Sequence, residues 1–153
     1  MFPATTRRVS QNTADAVNQA LRAKAEDRVT YYAENPDLIP ARLRVLDAEW
    51  DIERMLEANA AALAFTGTVL GARIDRRFYA IPAVVTGFLF QHAVQGWCPP
   101  LPILRRLGFR TESEIAEERI ALKILRGDFK DIPINPDASP RERARQSLVA
   151  ART

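Results

Sequence analysis

The chain has 153 residues, which limits it to one modest domain plus tails. Its formal net charge is +3, with charges of both signs mixed along the chain, so it lacks the basic patch of a nucleic-acid-binding protein. A single cysteine excludes an internal disulfide scaffold, and the first residues lack the apolar segment of a cleavable signal peptide.

Residues 1–40 are predicted to be a polar N-terminal region with one helix, after a flexible lead-in over residues 1–12. Apolar residues recur every three or four positions over residues 13–35, which predicts that helix. Asn35-Pro36 ends it, because the residue before a proline is disfavoured in the helical conformation. Pro40 suits the first turn of the next helix.

An amphipathic helix is predicted over residues 41–57. Leu43, Leu46 and Trp50 mark its apolar face. A helix of this kind suits a membrane surface, and it suits a soluble bundle equally well. The acidic residues at positions 47–53 alternate around this helix, so we expect a solvated face that pairs with neighbouring arginines.

Residues 58–104 form the most apolar part of the chain. Phe78–Leu104 runs for 27 residues without a formally charged side chain, counting its histidine as neutral, and a membrane span needs about 20 mostly apolar residues. We predict two transmembrane helices, at residues 58–74 and 78–98, which are antiparallel because the charged turn between them is short. The first is short for a span, since its uncharged stretch covers about 22 Å. A long buried helix in a soluble bundle is the alternative.

Small residues predict where the helices of this hairpin pack, because association in lipid depends on close packing and hydrogen bonds. Gly67 and Gly71 form a GxxxG pattern on the first predicted span. Gly87, Gln91 and Gln95 follow one another at four-residue spacing on the second. These faces either close the hairpin or form a homodimer interface.

Two side chains near the end of the second predicted span are candidates for chemistry. His92 is the only histidine and has no acidic neighbour in sequence, so we expect a neutral imidazole bonded to an adjacent helix. Cys98 is the candidate functional thiol. It lies near a helix C-terminus, which disfavours a thiolate, so a packed thiol is the alternative to a nucleophile. The sequence has no phosphate loop, zinc spacing or Ser/His/Asp arrangement, so no catalytic, cofactor-binding or metal-binding residue is predicted.

Gly96-Trp97-Cys98-Pro99-Pro100-Leu101-Pro102, followed by Leu107-Gly108 and Arg110-Thr111, resembles the end of the YgaP-type transmembrane domain, a bacterial inner-membrane family of unknown function. Ile52-Glu53-Arg54 is similar to the segment ahead of that family's first span, so the resemblance covers Leu46–Thr111. It implies a helical hairpin in the bacterial inner (cytoplasmic) membrane. Some members are fused to a rhodanese sulfurtransferase domain, which implies a link to sulfur metabolism through a partner. The family supplies no catalytic residues.

Residues 105–153 are predicted to be a polar helical flank and tail. Thr111 and Glu114 form a capping box that opens a helix ending near Arg126, with Gly127 as its C-cap. The apolar side of this helix is expected to consist of Ile115, Ile120, Leu122, Ile124 and Leu125. A short basic helix is expected after Ser139-Pro140, and it suits either an anionic lipid surface or a solvated tail.

The sequence therefore predicts an all-α protein, a two-helix membrane hairpin with amphipathic flanking helices. The expected function is that of a non-enzymatic scaffold or accessory subunit, without cofactor or nucleic acid. Its expected partners are the lipid bilayer and another membrane or cytoplasmic protein, with a homo-oligomer as a further state. Both termini are expected in the cytoplasm, because the long polar flanks would otherwise need translocation. Two alternatives stay open: a small transport or sulfur-relay component using Cys98, and a soluble helical bundle that binds another protein.

Overall fold

All the regular structure is helical in residues 4–130, 137 and 139–151, which are the residues that the computed structural model describes. The predicted all-α class is therefore confirmed. The α-helices are α1 (Arg8–Gln11), α2 (Asp15–Glu34), α3 (Ile39–Ala48), α4 (Ile52–Arg73), α5 (Ala80–Gln95), α6 (Leu101–Leu107), α7 (Glu112–Arg126) and α8 (Pro140–Ala150). Short 3-10 helices at Pro36–Leu38 and Arg76–Tyr79 precede α3 and α5.

The boundaries of the first long helices follow the sequence signals. α2 ends at Asn35, whose backbone leaves the helical region before Pro36, and Pro40 lies in the first turn of α3. The expectation of a flexible lead-in over residues 1–12 is wrong for its described part. There, α1 forms a helical turn, and Val9 is buried against the rest of the protein.

The predicted continuous helix over residues 41–57 is divided into two helices. The backbone leaves the helix at Glu49, and α4 begins after Asp51, whose carboxylate accepts a hydrogen bond of 2.7 Å from the backbone N–H of Arg54. Aspartate is among the strongest N-cap residues, so a new helix starts at this position. Trp50 is consequently exposed in the break, with the Arg54 guanidinium carbon 4.3 Å from its ring centre, and it does not share the buried face of Leu43 and Leu46.

Helices α2, α3 and α7 form a three-helix body around a small apolar cluster. The cluster contains Ile39, Leu43, Leu46, Ile115 and Leu122, with Tyr32 packed against it. The predicted limits of α7 are confirmed: its capping box is present, and Gly127 adopts the left-handed conformation that ends the helix. Its predicted apolar side is partly wrong, because three of the five residues are exposed. These are Ile120, Ile124 and Leu125.

The interior of the body holds a carboxylate where apolar packing was expected. The side chain of Glu118 on α7 is fully buried, and it accepts hydrogen bonds from arginines on three different segments. Arg28 of α2 lies at 3.0 Å, Arg42 of α3 lies at 2.8 Å, and Arg110 precedes α7. Arg110 also donates to both oxygens of Glu49, at 2.8 and 2.7 Å. The predicted solvated acidic face is therefore wrong for Glu49.

A second buried arginine joins α6 to the body. Arg105 donates to both carboxylate oxygens of Glu114 at 2.7 Å, and to the side chains of Thr13 and Asn18 at 3.2 and 3.1 Å. Arg105 and Arg110 are thus interior ion-pair partners, although their place after the apolar segment is typical of arginines at lipid headgroups. Bidentate arginine–carboxylate pairs of this kind hold segments in a fixed geometry.

Helices α4 and α5 form an antiparallel hairpin, joined by the predicted charged turn at residues 73–77. The face of α4 predicted from its small residues is the packing face, because Gly67 and Gly71 are its buried members. A Cβ atom added to Gly67 would lie 2.7 Å from Ile81 Cβ, and one added to Gly71 would lie 2.9 Å from the ring of Tyr79. The GxxxG pattern is therefore covered within the chain.

The small-residue face predicted for α5 does not pack on α4. A Cβ atom added to Gly87 would meet no atom within 4 Å, and Gln95 is exposed, while Gln91 is half-buried. Ile81 lies on the packing face instead, because a large side chain fits the space that Gly67 leaves. The predicted face of Gly87, Gln91 and Gln95 thus turns away from the partner helix.

One stretch of the described residues, Pro36–Arg73, is long and apolar enough to cross a membrane by length and composition. It contains α4. Helix α5 is more apolar on average, but it has 16 residues and spans about 24 Å. The described residues thus hold one candidate span, and the predicted pair of spans is not confirmed. Residues 131–136 and 138, which belong to the predicted C-terminal flank, lie outside the described part. After them, the predicted final helix is present as α8, capped by Ser139.

The hairpin packing predicts opposite effects for two glycine-to-alanine substitutions. Gly67→Ala should lower stability by about 1–3 kcal/mol, because the new methyl group overlaps Ile81. Gly87→Ala should be neutral or stabilising by up to about 1 kcal/mol, because alanine favours the helix and open space surrounds the position. Thermal unfolding of the two purified variants measures the difference. Equal midpoints would show that the helices do not approach this closely.

The Glu118 cluster predicts a loss of stability in acid. Burial disfavours the charged carboxylate, but hydrogen bonds from Arg28 and Arg42 and the charge of Arg110 outweigh it and lower the pKa of Glu118. A lowered pKa gives stability that is present above the unfolded value of about 4.3 and is lost as the pH falls through the folded value. The temperature at the midpoint of thermal unfolding should therefore decrease as the pH falls below about 4.3.

Glu118→Gln should cost about 3–5 kcal/mol at neutral pH, because it removes one partner of a buried ion-pair cluster. The variant should also lose less stability than the wild type on acidification. Glu117→Gln is the matched control, since Glu117 is exposed, and a change within about 0.5 kcal/mol is expected. A Glu118→Gln protein as stable as the control would contradict this account of the body.

Candidate functional site

The histidine of the hairpin has an acidic partner that the sequence does not place near it. His92 lies in the last turn of α5 and Glu53 in the first turn of α4, so the antiparallel packing brings them together. His92 Nε2 and Glu53 Oε2 are 2.7 Å apart, although the residues are 39 positions apart in sequence. The expected hydrogen bond between the imidazole and a neighbouring helix is confirmed. The expected neutral state of the ring stays a prediction. The acidic partner that is absent near His92 in sequence is supplied by the fold.

Helix α1 closes the open end of the hairpin over this pair. Arg8 donates to Glu53 Oε1 at 3.0 Å and to the backbone carbonyl of Ala93 at 3.2 Å. Asn12 donates to the carbonyl of Gln95 at 2.8 Å. Gly96, the left-handed C-cap of α5, allows this approach, because an added Cβ atom would lie 2.5 Å from the Arg8 carbonyl oxygen.

The hydrogen-bond pattern assigns the proton on the imidazole. An arginine is always charged, so its contact with Glu53 favours an ionised carboxylate, which can only accept. Nε2 of His92 must therefore carry a proton and donate it to Glu53. Nδ1 of His92 is buried and has no hydrogen-bond partner among the described residues, and the residue as a whole is 3% exposed. Two polar atoms of the site, His92 Nδ1 and Arg8 Nε, are thus buried without a hydrogen-bond partner among the described residues.

Cys98 is the second side chain that the sequence singles out for chemistry. It is a free thiol, 4% exposed, and it packs in a second apolar cluster at the junction of the hairpin and the body. The cluster contains Val9, Ile52, Leu56, Cys98 and Leu101. Cys98 is therefore a packed thiol, and it borders the same groove as His92.

His92 and Cys98 line the same apolar groove, which has a volume of about 440 Å³. The groove lies between α4 and α5, with Leu63, Val85 and Phe88 among its walls. Its lining is apolar apart from these two side chains and one amide. Asn59 supplies that amide, and its Nδ2 donates to the backbone carbonyl of Met55 at 2.8 Å.

A thiol and an imidazole thus border one groove, and a carboxylate binds the imidazole. These are the group types that activate a cysteine nucleophile when the base lies within hydrogen-bond reach of the thiol. Within the described residues, no group of three His, Cys, Asp or Glu side chains is placed to hold a metal ion. Of the residues predicted from sequence, Cys98 lies in this site, and Gly67 and Gly71 lie in the hairpin interface. Glu53 and Arg8 were missed, because no sequence pattern connects them to position 92.

Comparisons with known proteins gave no match: no family model, curated protein or solved structure is similar to the chain.

The contact between α1 and Gly96 predicts a local effect of substitution there. Gly96→Ala places a methyl group against the Arg8 backbone and also strains a φ of +79°, so α1 should detach from the hairpin. Trypsin should then cleave after Arg7 and Arg8 faster than in the wild type. Gly108→Ala is the control, because it strains a φ of +100° with open space around it and should leave cleavage at α1 unchanged. Equal cleavage in all three proteins would contradict this contact.

Proposed function

We propose that the chain is a non-enzymatic integral membrane protein whose hairpin enters the bilayer and whose three-helix body positions a partner. The observation that carries the proposal is the outward apolar surface of the hairpin. Phe65 and Phe90 are 71% and 73% exposed, and 17% of the apolar 18-residue window in the one candidate span of the described residues is buried. Contiguous apolar surfaces of this kind mark membrane or protein contact sites.

The polar groups of the hairpin support a lipid environment. The hydroxyls of Thr66 and Thr68 donate to backbone carbonyls four residues earlier at 2.8 Å, and Thr86 does the same at 2.6 Å. Exposed hydroxyls therefore bring no unpaired donor into lipid, where an unsatisfied group is costly. Charged residues are confined to the tip, at positions 73–77, and to the base where α1 packs.

The span lengths fit a locally thin bilayer. The uncharged part of α4 covers about 22 Å and α5 about 24 Å, against a hydrocarbon core of about 30 Å. Arginines at the tip can extend their charged ends to the headgroups, and local thinning accommodates the remaining mismatch. In this arrangement both helices leave the membrane at the body, and we place both termini in the cytoplasm.

The partner surface that we propose lies on the body. Ile120 and Ile124 are one helical turn apart on α7, and both are exposed, so they form an apolar strip beside the ion-pair cluster. We propose that another membrane or cytoplasmic protein packs on this strip. A second copy of the chain would instead meet the outward face of α5, where Gly87 permits close approach. The YgaP-type resemblance supports a bacterial inner-membrane location and remains a prediction.

A second candidate function is a sulfur-relay or transport component that uses Cys98. The observation that favours it is the shared groove of Cys98 and His92. Replacing Cys98 with serine tests this function in cells, because a relay would lose sulfur transfer, whereas a scaffold would keep its partner and its location.

Membrane insertion is tested by washing membranes at alkaline pH with carbonate. The wild-type chain should stay in the pellet, because an inserted hairpin is not extracted. Phe65→Arg and Phe90→Arg should each shift the chain toward the soluble fraction, since an arginine near the centre of a span costs about 2.5–3.5 kcal/mol. Ile120→Arg is the matched control, because it changes an exposed apolar side chain on the body, and it should stay in the pellet.

The same experiment separates the remaining alternatives. Recovery of the wild-type chain in the soluble fraction would contradict the membrane proposal and favour a helical bundle that binds another protein. Retention of both hairpin arginine variants in the pellet would also contradict it. Pull-down of a partner by the wild type and not by Ile120→Arg would support the role of the strip on α7.

A further inference from the structure

We propose that Cys98 is a modification site that takes a long acyl chain from an acyl thioester, with the chain lying in the apolar groove of the hairpin. Three observations carry this inference. The thiol borders a groove of about 440 Å³, an unpartnered imidazole nitrogen is buried beside it, and a carboxylate holds the other imidazole nitrogen. The inference goes beyond the proposed function, since anchoring and partner binding need none of these side chains.

The groove fits the first part of the hydrocarbon chain of such a substrate. Its α4 wall runs from Leu56 to Leu63 and its α5 wall from Val85 to His92. Each wall covers about 10 Å at the helical rise of 1.5 Å per residue. The carbonyl end of an extended alkyl chain can therefore lie in the groove with its carbonyl carbon at the polar end, and the rest of the chain continues along the exposed apolar surface of the hairpin. At the polar end, Cys98, Pro99 and Leu104 close the groove.

The imidazole supplies the base that the thiol needs. Nε2 of His92 donates to Glu53, so Nδ1 is the acceptor in the neutral ring, and it has no partner among the described residues. A buried acceptor without a partner costs about 1–3 kcal/mol, which a donor entering the site recovers. The Cys98 thiol borders the same groove as the imidazole and is the group that can supply this proton. Glu53 acts through the imidazole and is a positioning residue.

The transfer exchanges one thioester for another. Nδ1 of His92 accepts the proton of Cys98, and Sγ attacks the carbonyl carbon of the substrate thioester. The new C–S bond forms, the C–S bond to the leaving group breaks, and the imidazolium returns its proton to the departing thiolate. No oxidant or reductant is needed. The transfer occurs once per chain, so it modifies the protein without turnover.

The test uses the purified full chain in detergent and the coenzyme A thioester of palmitic acid as the probe. Intact-mass spectrometry should show the addition of one palmitoyl group, removable by hydroxylamine. Cys98→Ser should abolish it. His92→Gln should slow it by about 10²–10⁴-fold, the usual contribution of a positioned base. Gln95→Ala, in the same helix but outside the groove, should react like the wild type.

Two further variants separate chemistry from folding and binding. Ala60→Phe fills the groove and should block palmitoylation while leaving Cys98 reactive toward a small alkylating agent such as iodoacetamide. Glu53→Gln should slow the alkylation and change its pH profile, and Glu53→Asp should restore part of the rate. The charged groups that line a pocket with this imidazole are Glu53 and Glu57 from α4 and Arg8 from α1.

Several results would overturn the inference. One is a folded wild-type chain that gains no palmitoyl group. Another is a wild-type reaction rate in a His92→Gln chain whose unfolding midpoint matches that of the wild type. Reversible binding of free palmitate without transfer from the thioester would show a ligand groove and no modification site. A rate with the acetyl thioester equal to that with the palmitoyl thioester would remove the role of the groove, since chain burial should favour the longer substrate by more than about tenfold.

Discussion

The arrangement of the protein depends on Arg110, which connects the three-helix body to the hairpin. Its side chain binds Glu49 on one side and the buried Glu118 on the other. Its backbone carbonyl accepts a hydrogen bond of 2.8 Å from the N–H of Ile52, at the start of α4. One residue therefore holds both sides of the break between α3 and α4. That break turns the apolar helix away from the charged body, so the hairpin extends from the body with its apolar surface exposed.

The features that the sequence predicts well are those that short-range chemistry decides. The capping box of α7, its terminal Gly127 and the helix-ending Asn35-Pro36 each depend on residues within one turn of one another. The buried face of α7 was predicted only in part, because counting apolar residues passes over Glu118. A carboxylate can occupy the interior here only because Arg28, Arg42 and Arg110 come from distant segments. No local sequence pattern indicates that these side chains come together in the fold.

The hairpin interface shows a related reason for error. Small residues on both helices suggested that two narrow faces meet. In the structure, Gly67 and Gly71 on α4 receive Ile81, Pro82 and Tyr79 from the other helix and its preceding turn. A small residue opposite a large one gives more contact than two small residues facing each other, and dispersion grows with the number of close atom pairs. The sequence correctly identifies Gly67 and Gly71 as the place where α4 leaves space. Which side chain fills that space depends on the rotation of α5 about its axis.

His92 lies at the base of the hairpin, where polar partners are available to an otherwise apolar pair of helices. In the middle of the hairpin, an imidazole would need a partner within lipid. At the base, α1 and the start of α4 supply Arg8 and Glu53, so the charge of the carboxylate is compensated and Nε2 is satisfied. A histidine with a purely structural role would also satisfy Nδ1, because interior polar atoms nearly always have partners. Nδ1 has no such partner among the described residues, and its ring borders the groove that Cys98 also lines, so the polar end of the hairpin keeps a free hydrogen-bonding position at its apolar groove.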